Sequence, residues 1–276
     1  MKNLLFVATK VIVVVALLMV LAEAGAWADL NSAGPSDPVA DPYGPTYLEY
    51  AWGSGRVLAT MQTIEWGYGD GIHYQRVFRP EFLRNEIDYG VGAGRNVLLV
   101  QDVDPWDTNS NAIALSEHGA AYSVVGSSAL STVDLSLFGC VMYASDQYTS
   151  YYSNLAANLG RIESFVANGG TLLAHACDQG WHSGSWEGYS ILPGGVGHVF
   201  SYNQYIHIVD VSHPVVSGLS DDYLDNWTYS SHGCFTGLLP GTTVVMESTV
   251  PEPSSLLAFA SGLAGFGGFV LRRRRS

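Results

Sequence analysis

Between residues 96 and 174, short apolar segments alternate with longer segments of mixed polarity, and this alternation constrains the fold more than any other feature. The apolar segments are Val97–Val100, Ala121–Val125, Cys140–Ala144 and Thr171–Ala174. Their length and composition predict strands that are buried on both faces. Strands that alternate with helices predict a parallel sheet with helices on both faces, which places the chain in the α/β class.

Two of the intervening segments have helical patterns. The first is Asn111–His118, and the second and stronger is Asn154–Asn168. Gly169 suits the left-handed position at which the second helix ends. The apolar face of that helix consists of Leu155, Leu159, Ile162 and Val166.

The first residues have the features of a secretory signal peptide. A positive start at Met1-Lys2 precedes an apolar run that reaches Ala22, and Ala26-Trp27-Ala28 has small residues at the positions read by a signal peptidase. We therefore expect a signal peptide over residues 1–28 and a linker over residues 29–45. A retained membrane anchor is the alternative, although the run is shorter than the roughly 20 residues that a span needs.

The last residues form three consecutive parts. Pro251-Glu252-Pro253 comes first, an uncharged segment over residues 254–271 follows, and Arg272-Arg273-Arg274-Arg275 forms a basic cluster. The uncharged segment is long enough for a transmembrane helix, and the positive-inside rule keeps the arginines in the cytoplasm. This order of motif, span and basic cluster resembles the PEP-CTERM sorting signal.

That resemblance implies a Gram-negative bacterium in which an exosortase-like enzyme cuts near Pro251-Glu252-Pro253. It implies export across the inner membrane, anchoring there by the C-terminal helix, and then a place at the cell surface or in the extracellular matrix. The family is linked to cells that produce exopolysaccharide, which makes exopolysaccharide a candidate partner. A plain C-terminal membrane anchor is the alternative, and it would also leave the middle of the chain outside the cytoplasm.

The segment between the two ends is strongly acidic. It holds six arginines and no lysine against 23 acidic residues, so its formal charge is near −17. Such a surface repels nucleic acid and anionic polymers, which argues against a nucleic-acid partner. The cysteines Cys140, Cys177 and Cys234 are odd in number and too few for a disulfide scaffold, so their pairing stays open.

Polar residues follow the predicted strands at the points where the strands end. They are Gln101, Asp102 and Asp104 after the first strand, Ser145, Asp146 and Gln147 after the third, and His175, Cys177 and Asp178 after the fourth. The carboxyl ends of parallel strands share one edge of the sheet, and ligands of open α/β sheets bind there. We therefore expect these residues to converge on one rim.

A second resemblance covers residues 95–248. The residues that carry it are Gly169-Gly170, His175, Trp186, Tyr189, Gly194-Gly195, His198, His213-Pro214 and Gly218-Leu219. Their order is similar to that of the ThuA-like branch of the class I glutamine amidotransferase-like superfamily. The resemblance implies a flavodoxin-like fold, a pocket at the end of the fourth strand and, loosely, carbohydrate-related chemistry.

The turn after the fourth strand departs from the amidotransferase pattern. His175 occupies the place of the nucleophilic cysteine, as in the ThuA-like branch. Cys177 lies two residues further on, without the closely flanking glycines of a strained nucleophile turn. Glutamine hydrolysis is therefore not predicted.

The candidate catalytic residues are His175, Cys177, Asp178, His198 and His232. Cys177 could be a nucleophile that His198 or His232 activates, or it could be buried or bonded to Cys234. The histidines lack a spacing typical of zinc sites, so we predict no cofactor and leave a divalent metal open.

The candidate ligand rim consists of Asp102, Asp146, Gln147, Trp181, Trp186 and Tyr189. Its aromatic side chains could stack on sugar rings or pack the long loop onto the sheet. Asp102 and Asp146 could form an acid–base pair or cap the helices that follow them.

Residues 46–90 are expected to add a strand and a helix to the same sheet. The sequence Gly53-Ser54-Gly55-Arg56-Val57-Leu58-Ala59-Thr60 resembles the strand that usually closes amidotransferase-like domains, but here it precedes the domain. A circular permutation and a remnant of a lost upstream copy both explain this order. Pairing of Val57–Ile64 beside Thr243–Met246 would favour the permutation.

Three functions compete for the middle of the chain. The favoured one is an exported surface or matrix protein whose domain binds a glycan or a protein without catalysis, because no complete catalytic motif occurs. The alternative is a secreted carbohydrate-active hydrolase or transferase that uses the rim around His175 and Cys177, and the third is a purely structural matrix component. Convergence of His175, Cys177, Asp178 and a further histidine in one pocket would favour the enzyme.

Overall fold

The computed structural model of the chain describes residues 43–69, 79–92, 94–225 and 228–249. Three expected segments lie outside this range. They are the signal peptide, almost all of the linker, and the C-terminal sorting segment with its expected transmembrane helix over residues 254–271. Within the described residues, no helix has both the length and the apolar composition needed to cross a membrane.

The described residues form ten strands and six α-helices, joined by loops and short 3₁₀ turns. The strands are β1 Pro45–Trp52, β2 Gly55–Thr60, β3 Val97–Val100, β4 Tyr122–Val125, β5 Cys140–Tyr143, β6 Thr171–His175, β7 Gly197–Val199, β8 Ile206–Ile208, β9 Cys234–Thr236 and β10 Thr243–Ser248. The helices are α1 Ile64–Tyr68, α2 Pro80–Val91, α3 Ser110–His118, α4 Thr149–Ala157, α5 Leu159–Ala167 and α6 Asp221–Leu224.

Eight of the strands make one mixed sheet in the order β4-β3-β5-β6-β2-β1-β10-β8. The five strands from β4 to β2 are parallel, β1 is antiparallel to both β2 and β10, and β8 is antiparallel to β10. The expectation of a parallel sheet is thus correct for the first five strands and wrong for β1 and β8. Strands β7 and β9 pair separately as a two-stranded ribbon.

Helices cover both faces of the large sheet. Side chains of a strand alternate between its faces, so each central strand contributes to the core on both sides. In β5, Val141 and Tyr143 pack in the same core as α4 and α5. Cys140 and Met142 face the other way and pack in the core that contains α1, α2 and α3. Burial on both faces explains why these strands are apolar throughout.

The N-terminal segment contributes two strands, as a hairpin, and two helices. Gly53 turns the chain between β1 and β2 with a φ of 61°, β2 pairs with β6, and β1 pairs with β10. The pairing of Val57–Ile64 beside Thr243–Met246 does not occur, because β1 lies between β2 and β10 and Ile64 begins α1. A circular permutation remains a prediction.

The segment Asn154–Asn168 forms two helices rather than the single helix expected. Helix α4 begins earlier, at Thr149, and gives way to α5 at Asn158. The Asn158 side chain donates to the carbonyl of Asn154 at 2.9 Å, and asparagine side chains that bond to nearby backbone compete with helix continuation.

Helix α2 continues through Gly90 to Val91. A β-carbon at Gly90 would lie 2.4 Å from a methyl group of Leu173 in β6, so glycine allows the helix to approach the sheet. Strand β8 ends at Ile208, because the next two amides both bond to the carbonyl of Val245.

Candidate functional site

Backbone strain is concentrated at the carboxyl ends of the parallel strands. Among the described residues, the non-glycine residues with positive φ are Trp106, Asp107, Asp146, Gln179 and Ser183, with φ between 49° and 55°. They lie in the loops that leave β3, β5 and β6. Such conformations are uncommon in residues other than glycine and cluster at functional sites. These loops are therefore a candidate functional region.

An aromatic pocket of about 270 Å³ lies beside these loops. Its aromatic walls are Trp66, Trp106, Trp181, Tyr202, Tyr229 and His232. Thr63, Gln179 and Gly180 complete the lining of this aromatic pocket. From the candidate catalytic residues and the candidate ligand rim, His232 and Trp181 contribute to it.

The rings of the aromatic pocket pack edge to face and keep part of their surface open. The centroids of Trp66 and Trp181 are 5.2 Å apart, and those of Tyr202 and Tyr229 are 5.0 Å apart. Trp181 and Tyr202 are each 51% exposed. Rings that are held by their neighbours and are partly exposed are suited to stack on a ligand at little cost in side-chain entropy.

His232 places a hydrogen-bond acceptor in the aromatic pocket. Its Nδ1 donates to the carbonyl oxygen of Asp178 at 2.7 Å. Burial lowers the pKa of His232 below its ordinary value of 6.5, which favours the neutral ring. Because Nδ1 carries the proton, Nε2 is an acceptor, and it has no hydrogen-bond partner among the described residues.

His175 lies away from the aromatic pocket, in a fully buried clamp between two glutamates. Its Nδ1 is 2.8 Å from an oxygen of Glu65 in α1, and its Nε2 is 2.5 Å from an oxygen of Glu86 in α2. Burial alone would lower the pKa of His175, but Glu65 and then Glu86 raise it to about 10. The ring is therefore an imidazolium whose two N–H groups are both used.

The two glutamates also accept hydrogen bonds from further donors. Ser145 donates to Glu65 from its backbone amide at 3.0 Å and from its hydroxyl, and Tyr47 donates to Glu86 at 2.8 Å. Burial opposes ionisation of Glu65, yet His175 and Ser145 together lower its pKa. We call Glu65, His175 and Glu86 the buried clamp.

Cys177 is fully buried and packs with Trp66 and Trp106. Burial, reinforced by the charge of Asp178, raises the pKa of the Cys177 thiol well above its ordinary value, so the thiol keeps its proton. All three cysteines are free, and the alternative of a bond between Cys177 and Cys234 is not found.

Asp178 and His198 form a separate buried pair. The Asp178 carboxylate accepts from the Ser185 hydroxyl and the Trp186 amide at 2.9 and 3.0 Å, and it lies 3.4 Å from Nε2 of His198. The His198 ring stacks on Trp186 with centroids 3.9 Å apart. The five candidate catalytic residues therefore occupy four environments. His175 lies in the buried clamp, Cys177 packs against Trp66 and Trp106, His232 lines the aromatic pocket, and Asp178 and His198 form this pair.

The carboxylate and amide side chains of the expected rim tie its loops together. Asp102 accepts from the backbone and hydroxyl of Ser127, at 2.6 and 2.8 Å, and so caps a 3₁₀ turn. The amide oxygen of Gln147 accepts from the backbone of Asp102 and Val103. Asp146 accepts from the backbone of Trp106 at 2.9 Å.

Trp186 and Tyr189, expected at the rim, lie outside the lining of the aromatic pocket. Trp186 is 1% exposed and donates through its indole N–H to the carbonyl of Ala176 at 2.8 Å, so it packs the long loop onto the sheet. Tyr189 is 37% exposed and is not among the residues that line the aromatic pocket.

Sequence reasoning missed several residues of these sites. Trp106 follows β3 within an Asp-Pro-Trp-Asp sequence, so the strand-end argument that selected Asp102 and Asp104 could have found it. Glu65 and Glu86 gave no such signal, because their partner His175 is 110 and 89 positions away in the chain. In the described part of the chain, no group of three or more His, Cys, Asp or Glu side chains could hold a metal ion.

These observations define an α/β protein with an aromatic pocket at the ends of its parallel strands. Beyond the described residues, residues 249–275 match the model of the PEP-CTERM protein-sorting motif. This motif implies a substrate of an exosortase that is exported, sorted at the membrane and delivered to the surface.

The chain is also similar to an uncharacterized protein of Clostridium acetobutylicum, with 26% identity over 185 residues. The match covers 64% of this chain and 18% of that protein, so the chain corresponds to less than a fifth of the relative's length. No solved structure matches the chain.

Proposed function

We propose that this chain is an exported surface or matrix protein whose α/β domain binds a glycan in the aromatic pocket without cleaving it. The sorting motif supports the location, and exopolysaccharide at the cell surface is the partner that this location favours. The observation that carries the binding role is a pocket with several aromatic walls whose faces are partly open.

The size and lining of the aromatic pocket fit a sugar ring. Its volume of about 270 Å³ is near the lower end of the range for small-molecule sites, which suits one ring of a longer chain. Sugar rings present apolar C–H faces to aromatic side chains and hydroxyl groups to acceptors and donors. Trp181 and Tyr202 supply the former, and His232 and Gln179 supply the latter.

A binding role without turnover is supported by the state of the expected catalytic residues. The imidazolium of His175 has both nitrogens engaged, so it has no free position for proton transfer. The Cys177 thiol is buried and protonated, which is unfavourable for a nucleophile.

We further propose that the domain is a ThuA-like, flavodoxin-like member of the amidotransferase-like superfamily. Support comes from the parallel order β4-β3-β5-β6 and from a histidine at the end of β6. The hairpin of β1 and β2 precedes these strands in the chain and joins β6 to β10 within the sheet.

The test is titration of the full chain with neutral oligosaccharides by calorimetry, in a detergent without a sugar headgroup. Trp181→Ala and Tyr202→Ala should each weaken binding by about tenfold, because each removes a stacking face. Tyr189→Ala is the matched control, since this partly exposed tyrosine lies outside the pocket lining, and it should leave affinity unchanged. Absence of binding by any glycan, or equal loss in all three variants, would refute the proposal.

A carbohydrate-active hydrolase is a second candidate, favoured by one pair of residues rather than by His175 and Cys177. Asp146 bonds the His182 ring at 3.0 Å, and Nε2 of His182 then lies 3.8 Å from the exposed carboxylate of Asp107. A buried carboxylate that orients an imidazole is the usual arrangement for a general base. Release of reducing ends from a bound glycan, abolished in His182→Asn, would establish this function instead.

A further inference from the structure

We propose that the glycan bound in the aromatic pocket carries protonated amino groups, as a polymer of glucosamine does. This inference rests on the proposed glycan-binding function and names the class of sugar. Three features support it: the charge beneath the pocket, the chemistry of its walls and the positions of the buried cations among the described residues.

The buried region beneath the aromatic pocket carries excess negative charge. Cys177 packs under the rings of Trp66 and Trp106, and the charges of Asp178, Glu65 and Asp146 all act on it. These three carboxylates are all fully buried. Burial raises the pKa of Asp146, and the positive charge of the buried Arg79 also acts on Cys177. Charges that are buried are screened little by salt, so the pocket favours a positively charged ligand.

The buried cations do not reach the aromatic pocket. His175 is enclosed by Glu65 and Glu86. Arg79 is fully buried and donates to the carbonyl of Leu224 at 3.0 Å and to the hydroxyl of Thr63 at 2.9 Å. The guanidinium is thus engaged by a residue of the pocket lining, and no lysine or arginine is among the described residues that line the pocket.

The walls themselves suit an ammonium group. Tryptophan and tyrosine faces attract cations through their ring electrons, most strongly where water is excluded. The neutral His232 ring, 5% exposed, presents its Nε2 lone pair to the pocket and can accept from an N–H of the ligand. The carboxylate of Asp107, beside Trp106 in the chain and 74% exposed, adds negative charge near the entrance.

The test compares two trimers with the same rings and a different charge, glucosamine trimer and N-acetylglucosamine trimer, at a pH below the pKa of the amines. The full chain should bind glucosamine trimer at least about tenfold more tightly, and the preference should shrink as salt is added. Equal affinity, or tighter binding of the acetylated trimer, would overturn the inference while leaving the proposed function intact. Binding of neither trimer and of no neutral glycan would refute the proposed function itself.

Two variants test the assigned residues. His232→Phe keeps an aromatic wall and removes the acceptor, so it should reduce the preference for the amine severalfold. Asp107→Asn should reduce it about twofold, whereas Asp134→Asn, an equally exposed change in another loop, should have no effect. Displacement of glucosamine trimer by choline but not by free glucosamine would show that the pocket selects quaternary ammonium rather than an amino sugar, and would also overturn the inference.

Discussion

At the scale of single residues, the molecule uses a histidine of the expected active site as a structural cation. His175 has no exposed surface in its side chain and holds Glu65 and Glu86 by hydrogen bonds to both ring nitrogens. It links β6 to α1 and α2 on one face of the sheet. Removal of the cation would leave two carboxylates buried without a positive partner.

We expect His175→Gln to lower the free energy of unfolding by about 3–5 kcal/mol, since breaking a buried ion pair leaves an uncompensated charge. Urea denaturation followed by circular dichroism measures this loss. His207→Gln is the control, because His207 pairs with Asp221 at the surface, with about half of its side chain exposed, and should cost less than about 1 kcal/mol. Addition of Glu86→Gln to His175→Gln should recover part of the loss, and equal loss in the two histidine variants would contradict the role of the buried clamp.

The buried clamp also predicts how stability varies with pH. The pKa of His175 rises from 6.5 to about 10 on folding, so the folded chain keeps a proton that the unfolded chain releases between these values. The contribution of His175 is therefore complete below about pH 6.5 and is lost as the pH rises towards about 10. The pKa of Glu65 is lowered from 4.5, so its contribution is lost as the pH falls below that value.

The measurement is the free energy of unfolding of the full chain from neutral pH to about pH 10, compared with that of His175→Gln. The free energy of unfolding of the wild type should fall more steeply with rising pH than that of the variant. Other groups titrate in both proteins, so the difference between the two slopes reports His175. Parallel curves would show that His175 is neutral in the folded chain.

At the scale of elements, glycines set how closely helices approach the sheet. A β-carbon on Gly55, at the start of β2, would lie 2.1 Å from the carbonyl oxygen of Val166 in α5 and 2.2 Å from that of Gly170. Both contacts are with backbone, which cannot rotate away as a side chain can. Gly160 in α5, by contrast, has open space at the same point.

Gly55→Ala should therefore lower the free energy of unfolding by about 1–3 kcal/mol, because the hairpin must move away from α5. Gly160→Ala should raise it by about 0.4–1 kcal/mol, since alanine restricts the unfolded chain and suits a helix. Thermal and urea unfolding should show changes of opposite sign in the free energy of unfolding of the two variants. A change of the same sign in both would contradict this account.

At the scale of the whole molecule, an acidic α/β domain is joined to a C-terminal sorting motif. The described residues are separated from the Pro251-Glu252-Pro253 motif by a single position, because β10 ends at Ser248 and Thr249 is the last residue described. Cleavage near the motif would therefore leave the last strand of the sheet intact.

We expect replacement of Pro251-Glu252-Pro253 by three alanines to keep the C-terminal segment attached and the protein in the membrane fraction, in a host that carries an exosortase. Immunoblots of membrane and medium fractions, with mass spectrometry of the C-terminal peptide, measure the outcome. Glu187→Ala, an exposed change within the domain, should be processed as the wild type is. Normal release of the triple-alanine variant would show that the motif does not direct sorting.

The sequence alone determined the sorting motif and the parallel strands β3 to β6, because these depend on local order, composition and period. It also indicated the edge of the sheet where polar side chains gather, since Asp102, Asp146 and Gln147 all lie in the loops that leave the strand ends. Only the tertiary structure decided that β1 lies between β2 and β10, that Trp66 and Tyr229 face one pocket, and that Glu65 and Glu86 enclose His175. Those facts depend on contacts between residues far apart in the chain, and a local pattern carries no information about which distant carboxylate will neutralise a buried charge.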